Sequence, residues 1–248
     1  MAIRPNLKTI YLSIFILLFV PLETGALQNA VTPFDASHLE PHRATYTFSI
    51  VDSSGIERDG GTWTDEVRIE DHSLTRSVIR FRTDRQADLQ RTIVADRVTL
   101  LPTTMDQRFG AGLEGVMHVD YRPESVDQFM LANPASVMRQ VQATFDRPVW
   151  ELSLWGTLAM SLPLDQTGSY TVPTIAHDRI SVRDVIFEVG QEERIDLNGT
   201  LVLTRRVQIP EEGWTFWVRD TAPYLVQIEH PIPGDGYARS RLQSEFTQ

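Results

Sequence analysis

The sequence predicts a mainly β protein: an antiparallel, strongly curved sheet, or an incomplete β barrel or sandwich, with one main helix at about residues 148–162 packed on it. Three observations carry this reading. Stretches rich in Val, Ile, Thr and aromatic residues recur at a spacing of about 8–12 residues, most of them alternating apolar with polar. Turn chemistry separates them, as in Asp52-Ser53-Ser54-Gly55, Asp59-Gly60-Gly61 and Asn198-Gly199. One stretch, Val149–Leu162, breaks the alternation and is apolar over most of its circumference when wound as a helix.

The chain opens with a different kind of segment. Arg4 and Lys8 precede an apolar run, Ile10–Val20, and Thr24-Gly25-Ala26 supplies small residues suited to cleavage. Residues 1–26 therefore read as a secretory signal peptide. The alternative is a retained N-terminal membrane anchor. Ile10–Leu22 is only 13 residues long, against the roughly 20 that span a bilayer, so cleavage and a periplasmic product are expected. No cysteine follows the run, which excludes a lipid-anchored lipoprotein of the bacterial kind. Residues 27–43 read as a flexible, proline-punctuated lead-in. Residues 44–246 read as a single β-rich domain.

Within that domain Thr45–Val51 has strong β composition. Thr62–Glu70 and Leu74–Thr83 follow, the latter with Val78, Arg80 and Arg82 in alternation. Ala87–Val94 and Arg97–Leu101 read as two further strands. Thr103–Phe109 and Val116–Tyr121 read as an antiparallel pair. Asn133–Phe145 has few turn signals and reads as a short helix. Val149–Leu162 is the main helix, with Asp146 as its start signal and Pro148 near its first turn. Ser153, Thr157 and Ser161 form a narrow polar stripe on it, and Ser161-Leu162-Pro163-Leu164 ends it. A helix apolar nearly all round expects burial on several sides, so it lies against a curved sheet or plugs its open side.

Strands resume with Ser169–Ile175, Ile180–Val189, Glu193–Leu197 and Thr200–Gln208. Asn198-Gly199 between the last two is a strong two-residue hairpin signal, preferred over its reading as a glycosylation acceptor. Trp214–His230 reads as two strands folding over Asp220–Pro223. Trp214, Phe216 and Val218 share one face of the first strand. Tyr224, Val226, Ile228 and His230 share a face of the second. Tyr237–Phe246 closes the sheet.

The composition excludes several functions. With 33 acidic and 23 basic residues the net charge is −10, which repels nucleic acid and anionic lipid surfaces. There is no cysteine, so thiol chemistry and thiolate metal sites are absent. Lys8 is the only lysine and leaves with the leader, so no Schiff-base mechanism is available. The six histidines (His38, His42, His72, His118, His177 and His230) show no metal-ligand spacing. Gly110-Ala-Gly112-Leu-Glu-Gly115 matches a dinucleotide fingerprint by letter, but the alternating Val116–Tyr121 after it makes it a hairpin loop. There is no nucleophile elbow and no calcium loop. The carboxylate pairs Asp65-Glu66, Glu70-Asp71, Glu192-Glu193 and Glu211-Glu212 are sequential. Strand neighbours face opposite ways, so these read as solvated surface. No catalytic residue, metal ligand or cofactor is assigned, and the reading leans away from an enzyme.

The candidate site is aromatic. Trp150 and Trp155 on the helix are placed to meet Trp214, Phe216 and Tyr224 on the final hairpin, with His230 at the end of its inward face. Such a set either fills a core or lines an apolar cavity able to hold an acyl chain.

One ordered run of motifs carries a resemblance: Leu154-Trp155-Gly156, Leu162-Pro163-Leu164, Tyr170-Thr171-Val172-Pro173 and Val189-Gly190-Gln191-Glu192. It ends with Trp214-Thr-Phe-Trp217-Val, Ala222-Pro223-Tyr224-Leu225-Val226 and Ser240-Arg241-Leu242. Over about Ala44–Phe246 the sequence resembles the exported bacterial family of domain of unknown function 3108. The resemblance implies a β meander, a helix with a Leu-Pro-Leu exit, and a closing set of strands. It is also similar in general look to periplasmic carriers with an incomplete barrel and a helix at the opening, such as lipoprotein chaperones. It carries over no functional residue.

The expected function is therefore a periplasmic, non-enzymatic protein binding an apolar small molecule, a lipid or a lipidated partner between helix and sheet. The alternatives are an envelope scaffold that binds another protein through sheet edges or a Trp217 face, and a hydrolase using His230 or His177 with a nearby carboxylate. No nucleic-acid partner is expected, and no stable membrane span after cleavage.

Overall fold

The protein is described by a computed structural model covering residues 34–176, 180–232, 234 and 236–247. The expected leader and the His177-Asp178 pair lie outside the described residues. Among the described residues fifteen strands form one sheet. Its first half runs β1 (His42–Asp52), β2 (Glu57–Glu70), β3 (Ser73–Phe81), β4 (Ala87–Asp96), β5 (Pro102–Phe109), β6 (Gly115–Arg122), β7 (Ser125–Leu131) and β8 (Arg139–Thr144). Then come β9 (Trp150–Glu151) and a short helix, α1 (Trp155–Met160). The second half is β10 (Gly168–Ala176), β11 (Ser181–Leu197), β12 (Thr200–Ile209), β13 (Trp214–Val218), β14 (Leu225–Pro231) and β15 (Gly236–Thr247).

The order across the sheet is β8 to β1, then β15 down to β9. Each half is an antiparallel meander, and the first and last long strands join them: His42 pairs with Thr247 and Asp52 with Gly236. Sequence neighbours thus become sheet neighbours nearly everywhere, as short hairpin connections favour. The exception is β8 and β9, which end up at opposite ends of the order; β9 pairs in parallel with β10 through Trp150–Thr174 and Glu151–Ile175.

Curvature follows from what the middle segment touches. Trp150 Nε1 donates to Thr99 O, in the turn between β4 and β5, at 3.0 Å. Arg76 on β3 donates through Nη1 to Ser153 O at 2.8 Å. Trp155 meets Trp214 on β13, and Gly156 lies against Leu225 on β14. Strands far apart in the sheet order reach one seven-residue segment, 150–156, only if the sheet curls around it. β8 and β9 remain separate edges, so the sheet is open and no barrel closes.

Several expectations change. The helix over 148–162 shrinks to Trp155–Met160, preceded by a 3-10 turn over Leu152–Leu154. Its start signal is Glu151, whose carboxylate accepts from Ser153 N, and residues 150–151 are spent on the bridge to β10. The all-round apolar composition has the anticipated cause: every residue of α1 is buried. Of the polar stripe, Thr157 and Ser161 are buried and Ser153 is part-buried, with Ser161 Oγ donating back to Thr157 O at 2.9 Å. The stretch 133–145 holds no helix; its second half is the edge strand β8. Arg97–Leu101 is a turn, because Asp96 Oδ1 accepts from Val98 N, Thr99 N and Thr99 Oγ1. Residues 34–43 are packed where a flexible lead-in was expected: Phe34, Ala36, Leu39 and His42 are all buried. Asn198 and Gly199 form the expected two-residue turn, with φ of 54° and 85°. The glycine-rich run 110–115 connects β5 to β6, as its hairpin reading requires.

Candidate functional site

The inward face of the curled sheet is only partly filled. At one end residues 149–162 pack against it. At the other a cavity of about 520 Å3 remains, within the rough range of 300–1,000 Å3 seen for small-molecule sites. The alternation of strands sets its walls. Phe48, Trp63 and Val78 come from β1–β3, and Phe216 and Ile228 from β13 and β14. Leu152, Trp155 and Gly156 form its base.

Two aromatic groups border this space, the first through Trp63 and the second through Trp214 and His230. Tyr46 and Trp63 stack across the β1–β2 pair with ring centres 4.2 Å apart, and the Tyr46 hydroxyl donates to Leu225 O at 2.9 Å. Opposite, Trp214 stacks on His230 at 4.5 Å and 17°, and Trp155 meets Trp214 edge-on at 5.6 Å. Two glycines make the geometry possible. A Cβ on Gly60 would fall 2.3 Å from the Phe48 ring, which lies across it at the mouth. A Cβ on Gly156 would lie 3.0 Å from Leu225 and 3.5 Å from the Arg76 guanidinium. Without side chains there, strand and helix approach closely enough for Arg76 to reach Ser153 O.

The charged groups are not where a composition of −10 suggests. Four arginines (Arg76, Arg80, Arg82 and Arg91) line the cavity, against one carboxylate, Asp88. Arg76 is the deepest. Its Nε and Nη2 hold Asp65 at 3.0 and 2.7 Å, and both side chains are buried. Burial alone would lower the Arg76 pKa, but the Asp65 charge and its hydrogen bonds hold it above the usual value. Arg80 pairs with Asp88 through two bonds, at 2.8 and 3.1 Å, nearer solvent. Asp65 was expected at the surface beside Glu66. Strand alternation instead turns it inward between Trp63 and Val67, while Glu66 points out to Arg68.

Of the six expected site residues, Trp155, Trp214, Phe216 and His230 line the cavity. Trp150 and Tyr224 do not. Trp150 packs edge-on against Phe34. The Tyr224 hydroxyl accepts from Glu40 N at 3.1 Å and donates to His38 O at 3.0 Å, tying down the segment before β1. The cause lies in β14. Trp217 pairs with Gln227 but Val218 pairs with Leu225, so Val226 is an extra residue. A bulge of this kind reverses the alternation beyond it. Ile228 and His230 keep the inward face, Leu225 takes the inward place near Gly156, and Tyr224 is released from that face. The arginines were missed, although Arg76, Val78, Arg80 and Arg82 at spacing two on one strand signal a shared face.

His230 is stacked and half-buried, and its Nδ1 lies 3.1 Å from Pro231 O. Among the described residues it makes no hydrogen bond to a carboxylate or hydroxyl. Burial pushes its pKa below 6.5, and the Arg80 charge adds to that. His118, on β6, is the opposite case: bonds to Asp106 at 2.7 Å and Asp120 at 3.3 Å raise its pKa above 6.5. In an NMR titration, His230 is expected to protonate below pH 6.5 and His118 above it. The signs for stability differ accordingly. The unfolded chain protonates His230 first, so that contribution is present above pH 6.5 and is lost on acidification. The His118 contribution is complete below pH 6.5 and fades as pH rises through its folded pKa. A His230 resonance titrating at or above 6.5 would mean that the ring is not desolvated by its stack on Trp214.

A search of curated proteins finds none that matches the chain. The family model described as protein of unknown function (DUF3108) matches residues 43–241, from the start of β1 into β15. That match takes in both meanders, the middle segment and every wall of the cavity, and the chain belongs to this family.

Proposed function

We propose that the protein is an exported, non-enzymatic carrier that holds a hydrophobic ligand, an acyl chain or the lipid of a lipidated partner, between the curled sheet and residues 152–156. The observation that supports this is the cavity itself: about 520 Å3 of space walled by Trp63, Trp155, Trp214, Phe216 and Ile228 where a β core would otherwise be filled. A packed interior leaves few voids larger than a water molecule, so an apolar space of this size is suited to a ligand. The expected compartment is the periplasm, on the strength of residues 1–26.

Native mass spectrometry after gentle purification tests this, with adducts of lipid mass expected. A bare-chain mass together with no uptake of an apolar dye counts against it. Ala238 provides a variant. It lines the cavity and pairs with His230 across β14–β15. Ala238→Phe is expected to fill the space, weaken dye uptake by about tenfold or more, and leave thermal stability unchanged or raised. Unaltered uptake would place binding elsewhere.

A second reading, an envelope interaction module, rests on the β8 edge. Val137, Met138 and Val141 are exposed there, at 86%, 61% and 43%, beside unpaired backbone groups of an edge strand. Trp217 gives it less support, since its indole donates to Glu193 at 2.6 Å. Photo-crosslinkers placed at Val137 and Val141 that capture no envelope protein would remove this reading.

A further inference from the structure

We propose that the cavity selects an anionic amphiphile, an acyl chain ending in a carboxylate or phosphate, and that Arg91 receives the acidic head. This rests on the cavity-binding reading above and adds the ligand class. Arg91 sits on the inward face of β4, directly opposite Val78 on β3 and Gln107 on β5. Its Nε donates to Gln107 Oε1 at 2.6 Å. Among the described residues, Nη1 and Nη2 have no hydrogen-bond partner, and no carboxylate forms an ion pair with the side chain.

The neighbouring arginines show how this differs from the rule in the same wall. Arg76 is held by Asp65 and Ser153 O, and Arg80 by Asp88. Each has a carboxylate within bonding distance. Arg91 has a neutral amide instead. A guanidinium carries five donors in a planar fork that matches a carboxylate or phosphate, and four of the five are left over here. Burial lowers the Arg91 pKa, and the through-space influence of Glu151 and Tyr121 opposes it only in part. Glu151 is itself engaged in capping Ser153 N. Keeping a cation half-buried without its counter-ion is costly, and the cost is recovered when an oxyanion arrives.

The geometry also divides the ligand. The acyl chain lies between Trp214, Phe216 and Ile228 on one side and Phe48, Val78 and Leu89 on the other. Arg80 and Arg82, both solvent-exposed, extend the positive strip from Arg91 to the mouth. A protein with net charge −10 overall therefore presents its positive potential inside one cavity, where it attracts anions without attracting anionic surfaces generally.

Binding of dodecanoate, dodecyl phosphate, dodecanol and acetate to the purified protein tests the assignment. Both acidic amphiphiles are expected to bind at least about tenfold tighter than dodecanol, and acetate to bind far more weakly than either. In Arg91→Met the acid-over-alcohol ratio falls to near one while dodecanol affinity is kept. Gln107→Glu, which supplies the missing carboxylate in place, is expected to do the same without removing the arginine. Equal affinity of acid and alcohol in the unaltered protein, or a preference that survives both substitutions, overturns the inference and leaves cavity binding standing. Acetate binding as tightly as dodecanoate also overturns it. If no dodecyl compound binds, the cavity-binding reading itself fails.

Discussion

Replacing Asp65 by asparagine is expected to cost about 3–5 kcal/mol of folding stability, the range for breaking a buried ion pair by removing one partner. The Arg76 side chain is 7% exposed and that of Asp65 is 2% exposed. Three of the guanidinium's contacts go to the Asp65 carboxylate, at 2.7–3.1 Å. Asparagine keeps the shape but removes the charge and puts an NH2 against a cation that has no need of a donor. Arg76 then remains buried with Ser153 O as its principal acceptor. Chemical denaturation monitored by tryptophan fluorescence would report the loss as a lower midpoint at unchanged slope. Asp65→Asn combined with Arg76→Met is expected to recover most of it, because a pair replaced by apolar groups costs little. A single-variant loss under about 1 kcal/mol would mean that Arg76 reaches water in solution.

The same pair marks the boundary of what the sequence makes legible. Strands with clear alternation were readable, and so were the Asn198-Gly199 turn and the glycine-rich loop, because their local chemistry permits one conformation. The face on which Asp65 lies was also implicit in its spacing from Trp63 and Val67. What hid it was its neighbour Glu66, which made the two look like a solvated acidic pair. Residues 149–162 show a different limit. Apolar composition on all sides announces burial, but it does not distinguish a helix laid on a sheet from a chain threaded through the inside of one. The difference is made by the Trp150–Glu151 bridge to β10, a contact to residues 24 positions away. The bulge at Val226 is similarly invisible, since a one-residue insertion leaves the composition of β14 intact and reverses which residues face inward. Four of the six candidate residues line the cavity, and they lie outside those two irregularities.

Trp155 is where core and cavity meet, and Trp155→Ala is expected to cost about 3–5 kcal/mol. The indole is 1% exposed. It meets Phe187 and Trp214 edge-on, with centres 6.3 and 5.6 Å away, and its Nε1 lies 3.4 Å from Thr174 Oγ1. Truncation removes those contacts, leaves the Thr174 hydroxyl with only Val172 O, and opens space that the curled sheet cannot collapse into. Trp214→Ala is the informative contrast. Trp214 is only part-buried, and one side of its environment is already the cavity, so its loss is expected to cost less, about 1–2 kcal/mol. Ligand binding should order the two variants the other way. Trp214 offers a chain its flat face beside His230, whereas Trp155 is turned mainly into protein. Trp214→Ala is therefore expected to lose most dye uptake from a stable fold. Trp155→Ala should retain uptake, and with a deeper void accept bulkier apolar dyes. If both variants lost stability equally and binding equally, the aromatic group would be a single filled core, and the division between a structural base and a ligand-facing wall would not hold.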